Sequence, residues 1–295
     1  MRTSVMTCVL LTLSAAVCGQ TAAAPPASTA PSKAPAATTT AAIALAVDMA
    51  VSAPATRASP PTTASAPAVD PAARKILDDL EQAGEKYATI QADIDYTVIM
   101  KQTGDSEERT GWVAYQKEAD KAPAKFRIQF ITLVQGGGAK LADKVDYAFD
   151  GQWMIVAKDR IKQMTRYQVA APGEKVEPLR LGKGPFPLPF GQKAEDVLRL
   201  FDAKTRPPQD KDPPNTRYLK LIPLEKADEQ MDFVRLELWI DRGTNLPVKI
   251  VSEDTSKNVT TVVFKDIKTD VKLDKGMFDL PRPFGWQVEV KPLEK

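Results

Sequence analysis

Twelve residues near the middle of the chain, Val145-Asp146-Tyr147-Ala148-Phe149-Asp150-Gly151-Gln152-Trp153-Met154-Ile155-Val156, constrain the fold more than any other stretch. Two runs of strand-forming residues meet at Asp-Gly, the dipeptide suited to the positive φ angles of a tight type I′ turn. With Asp150 and Gly151 as that turn, Phe149 is expected opposite Gln152, Tyr147 opposite Met154 and Val145 opposite Val156. Opposed residues share a face of a sheet. Val145, Tyr147, Phe149, Met154 and Val156 therefore make one apolar surface, while Lys144, Asp146, Ala148, Trp153 and Ile155 make a mixed one, suited to solvent or a partial cover. A face this apolar has to be buried, by protein or by lipid.

The same period of two recurs along the chain. Ile90, Ala92, Ile94, Tyr96, Val98 and Met100 alternate with polar residues, as in a strand with one buried face. Further strands are expected at Arg109–Gln116, Lys125–Val134, Val145–Phe149, Gln152–Ala157 and Ile161–Val169. A final meander is expected at Tyr218–Leu224, Phe233–Ile240, Val248–Glu253 and Val259–Phe264. In Phe233–Ile240, Val234, Leu236, Leu238 and Ile240 alternate with Arg235, Glu237 and Trp239. Ahead of these strands, Pro71–Thr89 reads as a helix with Asp70 as N-cap and Pro71 at its first position. Its apolar stripe is Ile76, Leu80, Ala83 and Tyr87, with Asp78, Asp79, Glu81, Glu85 and Lys86 expected to face water. A second, short helix is expected at Lys193–Ala203, with Ala194, Val197, Leu198 and Phe201 on one side. It follows a proline-rich passage, Gly184–Gly191, that fits neither a helix nor an inner strand. The pattern predicts a large antiparallel sheet with two or three helices on one face.

The N-terminus points to export. Residues 1–24 read as a signal peptide, with Arg2 before an apolar run, Val5–Val17, too short to span a bilayer. Cleavage is expected after Gly19 or Ala23; alternatively Leu13–Cys18 resembles a lipobox, with Val17 where a small residue is expected, and Cys18 would carry the lipid. Residues 25–70, rich in Ala, Pro, Thr and Ser, are expected to be a disordered linker, leaving 71–295 as one folded domain. No cysteine follows Cys18, so a disulfide framework is excluded.

The chain contains no histidine, which removes Ser-His-Asp and Cys-His nucleophile systems and His-based zinc sites. Neither a P-loop nor G-x-G-x-x-G occurs, and no cofactor or metal is expected. Asp93 and Asp95 are the only obvious carboxylate pair for glycosidic chemistry, and period two puts both on the solvent face of a strand. With 40 basic and 38 acidic residues interspersed, no basic surface suggests nucleic acid. A non-enzymatic, monomeric protein is the expectation.

From the first helix onward the chain resembles the LolA-like family of periplasmic lipoprotein carriers and outer-membrane lipoprotein-sorting proteins. The resemblance rests on an ordered set spread over residues 73–290: Tyr87 running into Ile90–Met100, Gly111-Trp112-Val113-Ala114-Tyr115 leading to Pro123 and Phe126-Arg127, the Asp150-Gly151-Gln152 hairpin, Tyr218–Pro223, and then Val234–Ile240, Pro247–Glu253, Thr260–Phe264, Phe278 and Pro281. It implies an α+β fold, a curved antiparallel β-sheet forming an unclosed half-barrel with helices covering the concave apolar face. It also implies that acyl chains bind between sheet and helices. Ile94, Tyr96, Val98, Val145, Tyr147, Phe149, Met154, Val156, Leu236, Leu238 and Ile240 would then line the cavity, and Ile76, Leu80, Val197, Leu198 and Phe201 would form the lid. Where the carriers place a lid-holding arginine before the proline after their second strand, this chain has Lys117, with Glu118 to Ala122 inserted ahead of Pro123.

Three functions are compatible with these readings. The first is a periplasmic carrier or binding protein for lipid or lipoprotein acyl chains, working with inner- or outer-membrane protein partners, or tethered as an acceptor if Cys18 is acylated. The second is a lipid-responsive sensor on the same fold, and the third an enzyme acting on saccharide or lipid. Against all three, the apolar face could be an ordinary filled core.

Overall fold

Asp70 starts the first element as the sequence predicts: its carboxylate accepts the amide hydrogens of Ala72 (2.9 Å) and Ala73 (3.4 Å), and Pro71 opens helix α1, Pro71–Lys86. In the computed structural model, residues 70–119, 123–171, 192–224, 231 and 233–293 are described. The signal and linker readings, Cys18 and the Gly184–Gly191 passage lie outside these residues.

After α1 the chain runs through strands β1 (Thr89–Ile99), β2 (Ser106–Gln116), β3 (Lys125–Gln135), β4 (Leu141–Phe149), β5 (Trp153–Lys158) and β6 (Gln163–Gln168). Helix α2 (Ala194–Leu200) leads directly into β7 (Phe201–Lys204), followed by β8 (Thr216–Pro223), β9 (Phe233–Asp241), β10 (Pro247–Asp254), β11 (Val259–Thr269) and β12 (Gln287–Lys291). All twelve strands join one sheet in the order β12-β6-β5-β4-β3-β2-β1-β11-β10-β9-β8-β7. The sheet is unclosed, with β12 and β7 as its ends, and is antiparallel except where β12 lies parallel to β6. The fold is the α+β class expected, an open antiparallel sheet with helices on its apolar face.

The hairpin differs from expectation in its register. Phe149 pairs with Met154, Tyr147 with Val156 and Val145 with Lys158, so the loop is Asp150–Trp153 rather than the Asp-Gly pair alone. The cause is Asp150, whose Oδ1 accepts the amide hydrogens of Gln152 (2.9 Å) and Trp153 (2.8 Å), drawing both into an Asx-type turn. Because the shift is two residues, parity is kept and the five apolar side chains stay on one face. Gly151 (φ 109°) is required here by a contact: a β-carbon would collide with Pro123 Cγ.

The short helix also departs from expectation. It ends at Leu200 because Phe201 is extended (φ −131°, ψ 142°), pairs with Pro223 and stacks on Phe233 at 5.7 Å. Phe201 therefore belongs to the sheet and not to a helical lid. The sequence reading missed β12 altogether. Its entry covers the outer face of β5 and β6, where Ile155, Ala157 and Met164 pack with Trp153, Leu280, Trp286 and Val288. The mixed hairpin face is thus covered, and Asp146 is buried within that cover. It accepts from Arg127 Nε (2.9 Å) and Gln129 Nε2 (2.7 Å), while Arg127 also donates to the carbonyl of Met277 (3.0 Å). Asp93 and Asp95 are on the solvent side as expected, with Asp95 paired to Lys265.

Gly111 sits at the β2–β3 bulge, where a β-carbon would land on the backbone carbonyl of Gln129. Backbone inside a ladder cannot give way as a side-chain tip can. Gly111→Ala is expected to lower the urea unfolding free energy by at least about 2 kcal/mol, whereas Gly276→Ala, with nothing within 4 Å of its added methyl, should lie within measurement error of the parent.

Candidate functional site

The ladder registers carry one apolar face across the sheet. On β1, Ile94, Tyr96 and Val98 meet Phe264, Val262 and Thr260 of β11; Ile250 of β10 carries the face from Val262 to Leu238 of β9. In the other direction the face continues through Val113, Ile128 and Tyr147 to Val156 of β5. All eleven expected cavity residues lie on this face. Nine are buried, and Val98 and Met154 are half-buried. They do not gather around one opening. Val145, Tyr147, Phe149, Met154 and Val156 stand on β4 and β5, with β3, β2, β1, β11 and β10 separating them from Leu236, Leu238 and Ile240 on β9.

Helices α1 and α2 touch each other and cover the β7–β8 end of the face. Ile76, Leu80 and Val197 point inward as expected, but Leu198 is only half-buried and Leu200 takes the inward place. Between helices and sheet, Leu77, Leu80, Gln192, Val197, Leu219, Leu221 and Leu238 enclose a cavity of about 10 Å³. That holds about one water. Over this cavity the helices and the sheet are packed against each other, and the space is too small for an acyl chain.

Polar contacts at its margin hold the helix pair in place. Arg217 of β8 donates to Asp79 of α1 and, at 2.7 Å, to Asn245 Oδ1 in the β9–β10 turn. Glu81 of α1 accepts the amide hydrogen of Ala194 at 2.9 Å, so one helix caps the start of the other. Lys117, beyond β2, donates to the carbonyl of Glu85 in the last turn of α1. The expectation that Asp79 and Glu81 face water is therefore corrected: helical spacing placed them off the apolar stripe, and the sheet margin reaches around to meet them. Burial pushes the Asp79 carboxyl up, but the hydrogen bonds and charges of Arg217 and Lys75 outweigh it and hold it below its ordinary value.

A charged cluster interrupts the apolar face near the far ends of β1, β2 and β4. Glu107, Arg109 and Asp143 are 7%, 8% and 5% exposed. Arg109 Nε donates to Glu107 Oε1 at 2.6 Å and Nη1 to Asp143 Oδ2 at 2.9 Å, with its guanidinium 5.8 Å from the Phe130 ring centre. Tyr96 packs on Phe130 (5.3 Å) and Phe130 on Tyr147 (6.2 Å). Burial, followed by the charge neighbours Tyr147 and Glu107, pushes the Tyr96 phenol up to about 12. The sequence reading missed this cluster. The signal was present, since period two puts Glu107 and Arg109 in line with Gly111, Val113 and Tyr115 on the buried face. Among the described residues, no group of three or more His, Cys, Asp or Glu side chains could hold a metal ion, and no helix is long and apolar enough to cross a membrane.

No protein-family model and no curated protein matches the chain. Solved structures do. An uncharacterized conserved protein from Thermus thermophilus is 15% identical, with 75% of this chain and 99% of that one covered at a TM-score of 0.44. A LolA superfamily protein from Nitrosomonas europaea is 12% identical, with coverage of 70% and 97% and a TM-score of 0.33. The MucA/MucB complex of Pseudomonas aeruginosa gives 18% identity, coverage of 71% and 61% and a TM-score of 0.38.

Two outcomes test this geometry. Arg109→Met should leave buried Glu107 without this cation and Asp143 with the 3.5 Å contact to Arg160, and destabilise the fold by about 3–5 kcal/mol in urea titrations, whereas Lys265→Met, at an exposed pair, should do little. The Asp79–Arg217 contact contributes stability that is complete above the unfolded carboxyl pKa of roughly 3.9. That contribution is lost as pH falls through the lower folded value. Asp79→Asn should therefore flatten the acid side of the stability profile.

Proposed function

We propose that the chain is an exported, non-catalytic binding protein that accepts acyl chains of lipids or lipoproteins between the apolar face of its sheet and the α1–α2 pair. The observation that carries this reading is how the cover is attached. Across the interface the side chains that meet are apolar apart from Gln192, while the directional bonds, from Arg217 to Asp79 and from Lys117 to the Glu85 carbonyl, sit at its margin. Lifting the helices exposes apolar surface on both sides, and an acyl chain sliding between them would restore its burial at roughly 0.8 kcal/mol per methylene. The helix–sheet interface thus offers the right chemistry for an unbranched apolar ligand. Export through residues 1–24, a periplasmic place of work and a flexible tether through residues 25–70, anchored to a membrane if Cys18 is acylated, complete the proposal.

Solvent extraction of the purified protein followed by lipid mass spectrometry is the primary test; co-purifying acyl lipid is expected. In solution, a fluorescent fatty-acid probe should bind, and Val197→Asp on the inner side of α2 should weaken its uptake tenfold or more. Glu195→Gln, on the exposed side of the same helix, should leave it unchanged. Asp79→Asn, which unpins α1, should speed uptake. If the parent protein carries no lipid and takes up no probe, the face is a filled core and the proposal fails.

A further inference from the structure

One end of the sheet differs from the rest of the surface. It carries the turns β1–β2, β3–β4 and β5–β6 and the entry to β12. Of the eight exposed large apolar side chains among the described residues, Ile99, Leu141, Ile161 and Phe284 belong to strand ends or turns there, while Ile131, Val234, Val290 and Leu293 lie on β3, β9, β12 and the segment after it. Phe284 is 106% exposed, the extreme for an aromatic ring, and is held at the apex of a turn. Gly285 takes φ 77°, and the Trp286 amide reaches back to the Pro283 carbonyl at 3.4 Å. Just beyond, the Gln287 amide donates to the Lys162 carbonyl at 2.9 Å, which fastens this turn beside the β5–β6 turn carrying Ile161. The two turns present Lys158, Arg160, Lys162 and Arg282, all exposed, against the single exposed carboxylate Asp159. Arg160 lies 3.5 Å from buried Asp143 but keeps most of its side chain in solvent.

We propose that this tip docks the protein on an anionic membrane surface, with Phe284 and Ile161 entering the headgroup boundary and the cations meeting lipid phosphates. Phe284 projects from a fixed turn with its ring wholly in solvent. It suits a fluid interface into which it can sink. The ring of cations selects an anionic one. Tight pairing of the tip turn to β6 keeps Phe284 extended without a partner, so insertion requires no rearrangement of the fold. The inference does not depend on acyl binding: a chain that takes up no probe can still dock.

The test is sedimentation of the exported chain with vesicles of phosphatidylcholine, with and without phosphatidylglycerol. Every sample carries Cys18→Ser, so that no acyl anchor contributes. Binding is expected on the anionic vesicles only and should weaken as salt is raised. Phe284→Ser should lower the partition coefficient about tenfold. The pair Lys162→Glu with Arg282→Glu should lower it further, at about fivefold or more for each cation lost. All three positions are exposed, so thermal unfolding should stay at the parent value and separate lost docking from lost folding. Absence of binding to anionic vesicles, or equal binding by parent and Phe284→Ser, overturns the proposal. So does a dependence on Phe284 seen only in self-association of the protein.

Discussion

Everything in this fold depends on burying the apolar face that runs from β7 to β5, with the Glu107–Arg109–Asp143 cluster set into it. Side chains such as Phe149 and Leu238, each 0% exposed, contribute on the order of 1.5–3 kcal/mol apiece when taken from water. A sheet of twelve strands cannot remain flat, because twist accumulates from strand to strand. It therefore stays open at β7 and β12 while its two faces acquire different covers. On the apolar face the α1–α2 pair sits over the β7–β8 end. On the opposite face, around β4 to β6, the cover is the chain leading into β12, fixed by Asp146, Arg127 and the Met277 carbonyl.

The two covers are attached by different chemistry. The β12 side is joined by a ladder of backbone hydrogen bonds to β6 and by the part-buried Arg127 guanidinium donating to the Met277 carbonyl, both of which resist separation. The helix side is joined by apolar packing with charged contacts at its rim. Apolar packing, being non-directional, can be exchanged for other apolar matter. Under the proposed function that contrast assigns the movement to the helix pair and not to the C-terminal strand.

Much of this was legible in the sequence because period two survives local error. The hairpin register differs by two residues from the one Asp-Gly suggests, yet the face assignment of Tyr147, Phe149 and Met154 is unaffected, since only odd shifts exchange faces. Asp70 and Pro71 located the start of α1 through capping chemistry that is wholly local. What could not be read was long-range. Nothing near Gln287–Lys291 announces a parallel partner more than a hundred residues earlier, and Phe201 leaves helical conformation to stack on Phe233, a residue of another strand. For Asp79 and Glu81, the helical wheel gave the correct direction but not what lay there. The cluster of Glu107, Arg109 and Asp143 was readable in part, as charges in phase with apolar residues, but the third member comes from β4 and required the register.

The position of Lys117 is where the resemblance and the geometry bear on each other. Its ammonium reaches the carbonyl of Glu85, one of the last-turn carbonyls of α1 that have no partner inside the helix. A cation there also meets the negative end of the helix dipole. The neighbouring Lys117 amide bonds the Ala88 carbonyl at 2.9 Å, so the chain leaving β2 holds the end of α1 at two points. An arginine in this place could fork across two carbonyls in a fixed plane, whereas a lysine is a point charge on a flexible stem. The helix end is thus held by a contact that can break and re-form by rotation of one side chain. The Arg217–Asp79–Asn245 contact braces α1 nearer its middle, so the helix is fixed there by a forked guanidinium and at its C-terminal end by one flexible side chain.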